Sequence, residues 1–120
     1  MKESQKTRMH GSAVAWGGEE FPMSVVLLRG PSGSGKSDLA FRLVSAGAGL
    51  IGDDQVILEQ RQDKIMVASV EAIRGLMEVR GVGLLKYPVA EPAPLRLIVD
   101  LVSLKDVPRL PVWETEDVLG

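Results

Sequence analysis

The sequence predicts a single α/β domain, a mixed β-sheet organised around one strand–loop–helix unit. Three observations predict it. Gly30-Pro31-Ser32-Gly33-Ser34-Gly35-Lys36-Ser37 spells G-x-x-x-x-G-K-S, the pattern of a phosphate-binding loop. Short, β-branched-rich apolar runs recur along the chain, separated by turn residues. The length of 120 residues, 45% apolar and 25% charged, is the mass and composition of one globular core.

Taken in order, residues 1–9 are polar and charged and read as a frayed, flexible N-terminus. Residues 12–16 and 24–28 are apolar and flank a turn-rich segment, Gly17-Gly18-Glu19-Glu20-Phe21-Pro22, so they read as an antiparallel hairpin. The second strand ends at the phosphate loop. Beyond the loop, Leu39, Ala40, Leu43 and Val44 fall on one helical face, and Gly47 supplies a stop. Residues 50–58 form an apolar strand interrupted at Asp53-Asp54, and residues 59–64 form a polar turn. A short strand spans 65–68, with Ser69 placed to N-cap a brief helix to about Arg74. In residues 77–85 the closely spaced Gly81 and Gly83 mark bulges or close backbone approach rather than a plain strand. Pro88, Pro92 and Pro94 make a rigid connector, and residues 95–102 are the longest apolar strand, central in the sheet. Residues 103–120 are acidic and show no clear period.

Charge and composition exclude several classes. A formal net charge of −2 with no basic run argues against a nucleic-acid partner. There is no Cys and one His, which rules out a disulfide framework, a thiolate metal site and a multi-histidine site within the chain. The longest apolar runs fall short of a membrane span, and no apolar segment follows the charged N-terminus. A soluble, cytoplasmic protein is expected.

The loop sets the chemistry. Its glycines let successive N–H groups converge on one concavity, and the following helix N-terminus adds partial positive charge, so the unit binds an anion such as a nucleotide phosphate. Lys36 would reach the outer phosphates and Ser37 would ligate Mg²⁺. Asp53 and Asp54 stand at a strand end 17 positions or so beyond the loop serine. Adjacent strand side chains point opposite ways, so the two share a job only if the strand bends, as Gly52 would allow. One carboxylate would hold Mg²⁺ through water while the other accepts a proton from an attacking hydroxyl. A solvated acidic turn is the alternative. Glu78 and Arg80 would share a strand face, as a metal ligand and a phosphate contact or as a salt bridge. His10, Arg109, Trp16 and Trp113 carry no specific signal alone, and packing is the simplest role for the two tryptophans.

Taken together, this set resembles the catalytic domain of HPr kinase/phosphorylase. The resemblance rests on His10-Gly11, the phosphate loop, Asp53-Asp54 at its spacing, and Glu78-Val79-Arg80-Gly81-Val82-Gly83, which is similar to the family signature E-I-R-G-L-G. Pro108-Arg109-Leu110 resembles a weaker Asp-Arg-Leu site. It covers residues 10–120 and implies a sheet of the phosphoenolpyruvate carboxykinase-like kind. It makes His10, Lys36, Asp54 and Arg109 catalytic, with Asp54 the proton acceptor in phosphorylation and donor in the reverse reaction. Residues 30–37 would bind ATP, Ser37 and Glu78 would hold Mg²⁺, and Asp53 and Arg80 would support them. The implied reaction is ATP-dependent phosphorylation of a serine of HPr, with dephosphorylation as its counterpart, in control of a phosphotransferase system. The implied assembly is a hexamer. The chain is expected to be a short form lacking the family's N-terminal domain, and also to lack the family's C-terminal segment beyond Gly120. The rivals are a small-molecule kinase, whose Arg-rich lid has no counterpart here, and a nucleotide-binding module without catalysis, which would not need Asp54.

Overall fold

In chain order the polypeptide forms β1 (Lys6–His10), β2 (Ser12–Trp16), β3 (Ser24–Arg29), α1 (Lys36–Ser45), β4 (Gly49–Gly52) and β5 (Gln55–Arg61). It continues through β6 (Lys64–Ser69), a 3₁₀ turn (Glu71–Ile73), β7 (Leu76–Val79), β8 (Gly83–Lys86) and β9 (Ala93–Asp100). The computed structural model describes residues 5–17, 22–31, 33–79, 81–103, 116 and 118.

Seven strands make one mixed sheet in the order β1-β5-β6-β9-β3-β2-β4, and β7 and β8 form a separate hairpin. The β9 strand is the hinge of the design. It runs parallel to β3, with Val26 opposite Leu97 and Arg29 opposite Asp100, and antiparallel to β6 through Met66–Pro94 and Val67–Ala93. That central place matches its length and apolarity, and Pro94 sits within it near the start, where a missing N–H costs little.

The two-residue period of the strands sorts the core into two layers. Ala13, Ala15, Val25 and Leu27 join Ile51, Val56, Leu58 and Val67 on one face. Val14 and Leu28 face the other way and pack with Ala40, Leu50 and Met77 beneath α1. Because β2 and β3 are buried on both faces, they read as continuous apolar runs instead of alternating ones. Each fully buried Leu or Val contributes about 1.5–3 kcal/mol.

The hairpin of β2 and β3 has Val14 opposite Val26, as its sequence predicts. Several elements differ from expectation. Lys6–His10, predicted to fray, is a strand paired with β5, because Met9 opposite Val56 packs on the core while its polar neighbours face out. The carboxylate-interrupted run is two strands with different partners, β4 against β2 and β5 against β1 and β6. Residues 59–61 extend β5, so the polar turn shrinks to Gln62 and Asp63, with Gln62 at φ 56°. Ser69 ends β6 and caps nothing; its hydroxyl accepts from Arg74 Nη1 at 3.2 Å, and only a 3₁₀ turn follows. The glycine-spaced segment is a hairpin whose turn places Gly81 at φ 82° and Gly83 at φ 121°, a backbone region that glycine enters without steric cost.

Candidate active site

The β3 strand delivers the chain to Gly30, and α1 begins at Lys36, so the phosphate loop joins the end of a buried strand to a helix N-terminus. Gly33 at φ 82° and Gly35 at φ 99°, the latter capping α1, make the loop's left-handed bends. Lys36 is buried, its ammonium donating to the carbonyls of Gly30 at 2.6 Å and Pro31 at 3.1 Å. Ser34 Oγ is buried inside the loop with no hydrogen-bond partner among the described residues. An orphan hydroxyl there suits a loop that receives anionic oxygens.

The two aspartates follow Gly52 at the end of β4 and part company. Asp53 is 7% exposed and Asp54 lies in solvent. Asp53 Oδ1 accepts from Ser37 Oγ and from the wholly buried Ser12 Oγ, each at 2.7 Å, and Oδ2 accepts the Glu78 backbone N–H at 3.3 Å. One buried carboxylate thus ties β2, the phosphate loop and β7 together. Asp54 adopts φ 78°, uncommon for a residue with a side chain and recurrent at functional positions. Its Oδ1 lies 2.8 Å from His10 Nε2 at the end of β1, and its carbonyl accepts the Gly11 N–H at 2.8 Å. His10 therefore orients the carboxylate, the arrangement in which a third group aims a base.

These groups border one cleft of about 790 Å³, lined by the loop glycines Gly33 and Gly35 with Lys36 and Ser37, by Asp38 and Phe41 of α1, and by Asp54, Glu78 and Val79. Its size suits a nucleotide-sized ligand. Ser37, Asp53 and Glu78 supply hard oxygens of the kind Mg²⁺ takes. Among the described residues, no three His, Cys, Asp or Glu side chains form a metal-holding group. A cation here would complete its shell with water and phosphate oxygens, as Mg²⁺ ordinarily does.

The structure brings the expected Lys36, Ser37, Asp54 and Glu78 to one cleft, and His10 lies beside Asp54. Ser32, Arg80, Arg109 and Trp113 lie outside the described residues. Trp16, expected to pack, is 41% exposed at the end of β2. Ser12, Asp38 and Phe41 were not legible as site residues. Ser12 had one signal, a hydroxyl opening an otherwise apolar strand, since a buried polar side chain needs a partner.

The chain matches the family described as HPr Serine kinase C-terminal domain over residues 2–108. HPr kinase/phosphorylase of Leptothrix cholodnii is 42% identical over 108 residues, covering 79% of this chain and 33% of that protein. The Bordetella pertussis HPr kinase/phosphorylase is 38% identical over 107 residues, covering 79% and 35%. The chain therefore spans about a third of the length of the curated relatives it matches. In fold it resembles the Hpr(Ser) kinase/phosphatase from Coxiella burnetii, with a TM-score of 0.81 at 24% identity over 95% of this chain and 73% of that one. With the buried aspartate, the phosphate loop and the E-V-R-G-V-G hairpin in one fold, and with the match running over most of its length, the chain belongs to the HPr serine kinase C-terminal domain family.

Proposed function

We propose that this domain transfers the γ-phosphoryl group of ATP to a serine hydroxyl of HPr, and that it acts in the cytoplasm as part of a homo-oligomer in control of a phosphotransferase system. One observation carries the reading: an exposed carboxylate, Asp54, oriented by His10, borders the same cleft as the phosphate-loop Lys36 and Ser37. A nucleotide-binding module without catalysis has no use for a solvent-facing, oriented carboxylate beside its phosphates. An acceptor as large as a protein also suits a base lying at the surface rather than at the bottom of a pocket. Among the described residues, no helix is long and apolar enough to cross a membrane.

The loop amides and Lys36 bind and orient the phosphates, since two N–H groups of the ammonium are spent on Gly30 and Pro31 and a third remains for a phosphate oxygen. Asp54 accepts the proton of the attacking hydroxyl while His10 holds its carboxylate in place. Asp53 keeps Ser37 at its post and stays out of the proton transfer. When bound, Mg²⁺ held by Ser37 and Glu78, with Asp53 behind, would neutralise charge on the phosphates. Run in reverse, the phosphoserine would pass its phosphoryl group to ADP or inorganic phosphate seated at the loop while Asp54 returns a proton to the serine oxygen, the dephosphorylation that the relatives' name of phosphorylase denotes.

Purified domain incubated with labelled ATP, Mg²⁺ and HPr should label HPr on serine, and Lys36→Ala should abolish labelling while remaining folded. Label on nucleotide or a small molecule instead of HPr would favour a small-molecule kinase. Binding of ATP with no transfer to any acceptor would favour the regulatory module.

A further inference from the structure

We infer that Arg29 is a positioning residue for the phosphate loop, and that through it Glu116, far along the chain, sets nucleotide affinity. The inference rests on the nucleotide-binding reading of the loop and adds to it a control from behind the sheet. Arg29 is the last residue of β3 and directly precedes Gly30. The alternation that sends Val25 and Leu27 to the face away from α1 sends Arg29 there too. Its side chain is absent from the cleft and instead borders a second hollow of about 360 Å³, shared with Asp100, Glu116 and Val118.

The guanidinium there is held on two sides. Nε and Nη2 donate to Asp100 Oδ1 and Oδ2 at 2.7 and 2.9 Å, and Nη1 and Nη2 donate to Glu116 Oε2 and Oε1 at 2.7 and 2.9 Å. Two bidentate forks on one planar cation fix its orientation far better than single contacts would. They also hold its proton more tightly than usual, chiefly through Asp100 and then Glu116.

The backbone beside this clamp is the loop's footing. Leu101 N–H donates to the Arg29 carbonyl at 2.7 Å, adding one rung beyond the end of β9. A Cβ on Gly30 would stand 2.9 Å from the Leu101 carbonyl and 2.7 Å from Ser34 Oγ, so the first loop residue is wedged between the exit of β9 and the loop itself. The Gly30 carbonyl in turn seats Lys36. The chain of contact therefore runs from Glu116 through Arg29 and the β9 exit to Gly30 and Lys36. Release of the clamp frees the β9 exit, widens the conformations of Gly30, and makes nucleotide binding bear the cost of ordering the loop.

The experiment measures MgATP affinity by calorimetry on the full chain for wild type, Arg29→Met, Arg29→Lys, Glu116→Gln and the Arg29→Met/Glu116→Gln double variant. Arg29→Met should weaken MgATP binding by about fivefold or more, the lower end of ordinary coupling between sites. Arg29→Lys, which keeps the charge but loses the forks, should recover part of it. Glu116→Gln should weaken binding on its own but add nothing in the Arg29→Met background, the mark of a shared path. Val67→Ala, a core truncation on β6 away from loop and cleft, should lower the melting temperature with an unchanged Kd, which separates positioning from stability. Folded Arg29→Met with wild-type Kd overturns the inference. If Arg29→Met does not fold, Glu116→Gln decides in the same way. A wild type that binds no MgATP overturns the nucleotide reading itself, and this inference with it.

Discussion

Asp53 and Asp54 are neighbours in sequence with opposite physics. Asp53 accepts three hydrogen bonds while nearly sealed from water, and Asp54 stands exposed at positive φ beside His10. Asp54→Asn should leave MgATP binding within a few-fold of wild type, because loop, Lys36 and Asp53 persist. Phosphoryl transfer in a single turnover should fall by about 10²–10⁴, the contribution of a general base. Asp53→Ala should instead destabilise the fold by about 1–3 kcal/mol, since it strands the buried Ser12 hydroxyl, and should weaken MgATP binding by freeing Ser37. Denaturant melts beside nucleotide titrations read both effects, and the opposite assignment of losses would reverse the two roles. Strand alternation led to the expectation that the aspartates differ, but both lie in the bend between β4 and β5, and the bend with Asp54 at φ 78° is what separates them. Which one is buried was not legible, because the bend after Gly52 and the partner Ser12, 41 residues away, are tertiary facts.

The β7–β8 hairpin stands off the main sheet yet carries a site carboxylate, so its hold on the domain matters. Met77 is its anchor, fully buried with Val14, Leu28 and Ala40 beneath α1, while Glu78 on the next position faces the cleft. Met77→Ala should cost about 2–5 kcal/mol, the range for a large-to-small change in a packed core, measurable by urea unfolding. Glu78→Gln should leave stability nearly unchanged and raise the Mg²⁺ concentration for half-maximal rate. An unmoved Mg²⁺ titration would take Glu78 out of the metal site. Elements with a strong local signature were readable in advance: the hairpin of β2 and β3, the glycine-rich turn from β3 into α1, α1 itself and the central β9. Those that follow from partners were not. The strand β1 is polar because only Met9 turns inward, and the length of β5 past Glu59 is set by β6 opposite it, against the polarity of its own residues.

Across the molecule, two carboxylates on distant strands rest on cations, and this gives the fold an acid limit. Asp100 on β9 is held below its ordinary pKa of 3.8, first by its hydrogen bonds to Arg29. Glu59 on β5 is held below its ordinary 4.5, first by Arg61, with Lys6 of β1 adding at 3.2 Å. The first pair fastens β3 to β9 at the centre of the sheet; Arg61 lies on β5 with Glu59, and the Lys6 contact fastens β5 to β1 at the sheet's edge. A carboxyl whose folded pKa is depressed contributes stability that is fully present above its unfolded pKa and is lost as pH falls toward the folded one. The domain should therefore keep a flat melting temperature from neutrality down to about pH 5 as far as these two groups decide it, and lose stability progressively below, through 4.5 and then 3.8. Asp100 stands half exposed, so its share should shrink in salt, whereas the nearly buried Glu59 carboxylate should resist screening better. Asp100→Asn separates the two. It should melt lower than wild type at pH 7, and its melting temperature should fall less between pH 5 and pH 3, because one of the protons taken up on unfolding is gone. Thermal melts of both proteins across that interval make the comparison, and parallel acid slopes would mean that the Arg29 clamp contributes nothing to the linkage.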